Sequence, residues 1–66
     1  MKEALTYKGY NGSILYSNED QLFYGKVNLQ TDTVAYEGKT LDELETSFRE
    51  AVDHYLELRK EIDKSN

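Results

Sequence analysis

Sixty-six residues make one small domain, 1–66. Thirteen acidic against eight basic residues give a net charge of −5, which repels phosphate backbones and makes a basic partner the better expectation than nucleic acid. The chain has no cysteine and one histidine, which excludes disulfide staples and Cys/His zinc sites.

A chain of this length buries only ~60% of its unfolded surface. Self-association is the cheapest remaining source of stability, so a homodimer is the default expectation. Residues 1–3 lead into Ala-Leu-Thr-Tyr with no apolar run of the signal-peptide kind. No segment approaches the ~20 apolar residues of a membrane span. A soluble, cytoplasmic protein is expected, and the lack of cysteine fits a reducing compartment.

Residues 4–17 are rich in strand formers and interrupted by Gly9 and Gly12. Tyr10, Gly12, Ile14 and Tyr16 fall on one face, and Asn11, Ser13, Leu15 and Ser17 on the other. This pattern reads as one long bent strand, with a short hairpin around Asn11–Gly12 as the alternative. Asn18-Glu19-Asp20-Gln21 is a polar hairpin loop. Residues 22–29 alternate, with Phe23, Gly25, Val27 and Leu29 inward and Tyr24, Lys26 and Asn28 outward. Gln30-Thr31-Asp32-Thr33 is a second turn, and residues 34–37 a third short strand with Val34 and Tyr36 inward.

Residues 41–62 carry the strongest periodicity of the chain. Leu41, Leu44, Phe48, Ala51, Tyr55, Leu58 and Ile62 recur every third or fourth residue, widened by Val52 and Leu56. The stripe covers an arc of roughly 160°, as a helix lying on a sheet requires. Thr40 and Glu43 form a Thr-x-x-Glu capping box, and Asp42 and Glu43 set negative charge against the helix dipole. The expected fold is α+β: a three-stranded antiparallel β-meander in β-β-β-α order, with one long C-terminal helix packed on one face.

The ordered blocks Tyr7-Lys8-Gly9-Tyr10, Gly12-Ser13-Ile14, Tyr16-Ser17, Glu19-Asp20 and Leu22-Phe23-Tyr24-Gly25-Lys26-Val27 resemble the N-terminal domain of HicB-type antitoxins. The likeness continues through Tyr36-Glu37-Gly38, Thr40, Glu43-Leu44, Phe48, Glu50-Ala51-Val52-Asp53 and Tyr55-Leu56. It spans roughly residues 6–61. The resemblance implies a degraded ribonuclease-H-like fold that binds and silences a small basic HicA-type toxin, a ribonuclease that cuts messenger RNA with a catalytic histidine. Family members usually continue into a ribbon-helix-helix or helix-turn-helix domain that binds the operator. The sequence to Asn66 holds no such C-terminal DNA-binding domain, so toxin binding is the part of the resemblance expected of this chain. It also reads Asn28-Leu29-Gln30 where the family often has a glycine.

A ribonuclease-H-like fold invites a search for metal-binding acids, and a small metal-dependent nuclease is the alternative function. Two-metal catalysis needs acids converging on ions ~4 Å apart. Glu19 and Asp20 fall in a loop, Glu37 ends a strand, and Glu43 serves the cap, so no catalytic, metal or cofactor residue is assigned. His54 lies on the polar side of the helix, one turn after Glu50, with no nucleophile beside it. Glu43, Glu50, Glu57 and Glu61, with Asp42 and Asp53 nearby, line one side of the exposed helix face. They are either a solvated surface balanced by Glu45–Arg49, Arg49–Asp53 and Glu57–Lys60 pairs or a patch that steers a cationic toxin. Tyr24 and its outer-face neighbour Lys26 are candidates for direct partner contact, with a plain cross-strand pairing as the other reading.

Overall fold

The computed structural model describes residues 4–29 and 32–64, with side chains up to residue 60. Among these residues five strands precede one helix: β1 (Ala4–Tyr7), β2 (Tyr10–Ser13), β3 (Leu15–Ser17), β4 (Leu22–Asn28), β5 (Thr33–Gly38) and α1 (Leu41–Lys64). The fold is α+β, an antiparallel sheet with a C-terminal helix. The expected three strands are corrected to five, because the first expected strand is three.

The correction begins at Lys8-Gly9. Tyr7 pairs with Tyr10, and the two residues between them have φ values of 51° and 85°. Left-handed backbone at both central positions is what a two-residue hairpin needs, since it matches the twist of the strands on either side. Gly9 adopts it freely and Lys8 at some strain. The chain therefore folds back at Lys8–Gly9, not at Asn11–Gly12. The bend expected in the long strand is present further on. β2 and β3 lie on β4 in one continuous register, Gly12 opposite Val27 and Leu15 opposite Tyr24, with a break at Ile14. In space the order is β1, then β2 with β3, then β4, then β5.

Ser13 holds the broken strand together. Its hydroxyl accepts the Lys26 N–H at 3.0 Å, while its carbonyl turns inward and accepts the Tyr36 hydroxyl at 2.7 Å. Room for that hydroxyl exists because Gly12 and Gly25 lack side chains. A Cβ on Gly12 would run into the Tyr36 hydroxyl and approach the Phe48 ring at 2.8 and 2.9 Å. Gly12 lies in a strand, as the bent-strand reading expects and the Asn11–Gly12 hairpin alternative does not, and its place there is under a buried tyrosine.

The inner face of the sheet follows the expected alternation. Val27, Leu29 and Tyr36 are buried with Leu5, and Phe23 and Val34 pack at the margin. The helix supplies Leu44, Phe48, Val52 and Tyr55. Phe48 lies tilted against Tyr36 with ring centroids 5.3 Å apart, and Tyr55 meets Tyr10 edge-on at 6.5 Å. Helix α1 runs chiefly along β5 and reaches β4 and β1. It does not cover the β3 end, so Tyr16, on the inner face by parity, stays half exposed against the edge of Phe23. Leu41 and Leu58, on the apolar stripe by spacing, are also half exposed at the two ends of contact.

The helix begins where the capping residues predicted. Thr40 Oγ1 accepts the Glu43 N–H at 3.1 Å, and the Thr40 carbonyl accepts the first helical bond from Leu44 at 2.9 Å. Glu43 reaches back to the Lys39 N–H at 2.8 Å, one residue beyond the usual box partner.

Candidate protein-interaction surfaces

Two layers leave two broad surfaces, the back of the helix and the outer face of the sheet. The sequence candidates divide between them. At 100° per residue, Glu43, Glu50 and Glu57 stack at seven-residue intervals on the side of α1 opposite its buried stripe. Tyr24 and Lys26 stand on the outer face of β4, on the far side of the sheet. Helix acids and sheet residues therefore do not share one patch.

The acids differ in how they are engaged. Asp53 is occupied: its carboxylate accepts the Tyr7 hydroxyl at 3.1 Å and pairs with the Lys8 ammonium at 2.9 Å. The Lys8 hydrogen bond holds the Asp53 carboxyl below its ordinary value of 3.8, and Asp53 in turn raises Lys8 above 10.5. The Tyr7 ring has Lys8 at 5.2 Å and the Arg49 guanidinium at 5.7 Å from its centroid. This cluster pins the β1–β2 hairpin to the helix. Arg49 also pairs with Glu45 at 3.5 Å, as spacing foretold, whereas the expected Arg49–Asp53 partnership gives way to Lys8. Glu43 is committed to the helix start. Glu50 and Glu57 are exposed and form no ion pair among the described residues.

Among the described residues nothing covers the outer face of the sheet. Leu15, Tyr24 and Glu37 stand in one row across β3, β4 and β5, and Lys26 and Ala35 form the next row on β4 and β5. Leu15 is 49% exposed and Tyr24 39%, so two apolar side chains meet solvent side by side. Tyr24 sits beside Leu15 and Glu37, which makes it part of a patch and not an isolated ring.

The acids that a nuclease would need are scattered. Asp20 lies in the β3–β4 loop, its N–H donating to Ser17 Oγ at 3.2 Å, and Glu37 faces outward beside Tyr24. Among the described residues, no three His, Cys, Asp or Glu side chains gather to hold a metal ion. His54 is exposed on the helix flank beside β5, near Ser47, Glu50 and Ala51. No helix among the described residues is long and apolar enough to cross a membrane.

Sequence reasoning missed Lys8 and Tyr7 as partners of Asp53. The signal was the Lys8-Gly9 turn, which brings residues 45 and 46 positions apart into contact. Comparison with family models, with curated proteins and with solved structures finds no match to this chain.

Proposed function

We propose that the chain is an antitoxin-type interaction protein. In this reading it binds and neutralises a small basic HicA-type, mRNA-cleaving toxin in the cytoplasm, as a homodimer and with no chemistry of its own. The ordered sequence blocks that resemble HicB-type antitoxins motivate the proposal, and the meander-plus-helix is read as a degraded ribonuclease-H-like fold. The geometric observation that carries it is the pair Glu50 and Glu57. With Asp53 paired and Glu43 capping the helix, these two carboxylates leave their charge directed at solvent from the back of α1.

A toxin that grips RNA presents cations to the phosphates. An acidic helix face attracts the same surface and, once bound, repels the substrate. Charges of this kind act on the approach of the partner more than on the tightness of the complex. Reversing Glu50 and Glu57 together to lysine is expected to slow association with the toxin about tenfold or more at low salt. The deficit shrinks as salt shortens the Debye length to roughly 8 Å near physiological ionic strength. An association rate unchanged at low salt refutes the steering role of this face.

A further inference from the structure

Two independent hydrogen bonds establish which way the backbone of β5 points. Ser47 Oγ donates to the Glu37 carbonyl at 2.9 Å, so that carbonyl faces away from β4. On the other side, the Lys26 N–H turns toward Ser13, which makes Lys26 and Ala35 a pair without mutual hydrogen bonds. By alternation, Thr33, Ala35 and Glu37 direct their N–H and C=O groups to the open edge. β5 carries no proline, no lysine and no bulge against β4, and its one charged side chain is Glu37. Beside this edge runs the flank of α1, where Ala35, Glu37, Ser47, Ala51 and His54 line a shallow groove with Glu50 at its outer rim. Leu58 is on the same flank by helical phase and is half exposed.

We propose that the β5 edge pairs antiparallel with β5 of a second copy, about a two-fold axis at Ala35, joining the two sheets into one. This rests on the homodimer part of the reading above and assigns its interface. A two-fold axis at Ala35 sets Ala35 opposite its own copy and Thr33 opposite Glu37, so the outward N–H and C=O groups of the strand face one another, the Glu37 carbonyl using its second lone pair beside the bond from Ser47. The only charge in the strand thus meets a neutral threonine, while the smallest side chain occupies the axis. Val34, half buried in the single chain, comes beside Tyr36 of the other copy at the groove. The small side chains of Ser47 and Ala51 let the helix flanks approach, and Leu58 gains a neighbour. An unrelated extended peptide could use the same backbone groups, but only a second copy meets this symmetric arrangement of side chains.

The test uses two charge variants at the axis. Ala35→Glu suits the single chain, because Lys26 stands opposite it on β4, but sets two like charges face to face across the axis. Ala35→Lys also sets two like charges across the axis, here positive, and within the single chain it faces Lys26 on β4. Light scattering is expected to return twice the 7.7 kDa chain mass for the parent and the single-chain mass for each variant. An equimolar mixture of the two variants is expected to recover the doubled mass, whether or not either variant folds alone. A parent at single-chain mass overturns the homodimer itself. A doubled parent with a doubled Ala35→Glu variant, or a mixture that fails to recover, leaves the homodimer standing and overturns the β5 interface.

Discussion

Tyr36 is the point at which sheet, bend and helix meet, and a double-mutant cycle with Gly12 tests that arrangement. Tyr36→Phe removes the hydroxyl that donates to the Ser13 carbonyl at 2.7 Å. The carbonyl is turned inward at the break between β2 and β3, so leaving it without a donor costs about 1–3 kcal/mol. Gly12→Ala places a methyl group against the same hydroxyl and at 2.8 and 2.9 Å from the Phe48 ring, an overpacking of about 1–3 kcal/mol. In the double variant the hydroxyl is gone and only the ring contacts remain, which a small tilt of Phe48 can relieve. The two changes are therefore expected to be less damaging together than their sum, by roughly 0.5–3 kcal/mol. The assay is urea unfolding of the four proteins at one concentration, compared where the slope m is unchanged. Neutral pH is appropriate, because burial pushes the Tyr36 phenol above its ordinary 10.0. With the folded value raised, its contribution is complete below pH 10 and lost as pH rises through the folded value. Additivity within about 0.5 kcal/mol would refute the claim that Gly12 is there to seat the tyrosine.

Phe48→Ala, at a fully buried site between Tyr36 and Gly12, is expected to cost about 3–5 kcal/mol and to unfold a large fraction of so small a domain. A melting point within a degree or two of the parent contradicts the assigned core face. The Asp53 carboxyl is expected to titrate by NMR below the ordinary 3.8, and Lys8→Met to move it upward. The stability that it carries is present above the unfolded value and lost as pH falls through the depressed one. An Asp53 titration indifferent to Lys8 removes the hairpin clamp from the account.

The helix was legible because its signals agree: a three-and-four apolar repeat, a capping box and acids in the first turn all mark the same start. The alternation of β4 was legible for a similar reason, since Phe23, Gly25, Val27 and Leu29 share a parity and all turn inward. The first hairpin was not. Lysine at a left-handed position carries little turn signal, whereas Asn11-Gly12 carries a strong one that the sheet overrides, because Gly12 must leave space for Tyr36. Tyr16 shows a second limit. Parity gave its face correctly, but how far a helix extends over a sheet is a property of the packed layers and not of strand period. The acidic ridge could be placed by helical phase alone. That Asp53 is neutralised by Lys8 could not, because that contact depends on the unread turn.

The central claim, that this chain silences an RNA-cleaving toxin through protein contact alone, is tested most directly by titrating the chain into a cognate HicA-type ribonuclease while RNA cleavage is followed. Complete inhibition at an equivalent of chain, with the charge-reversed Glu50 and Glu57 variant lagging behind the parent by more at low salt than at high, is the predicted result. Cleavage that continues undiminished at saturating protein contradicts the account.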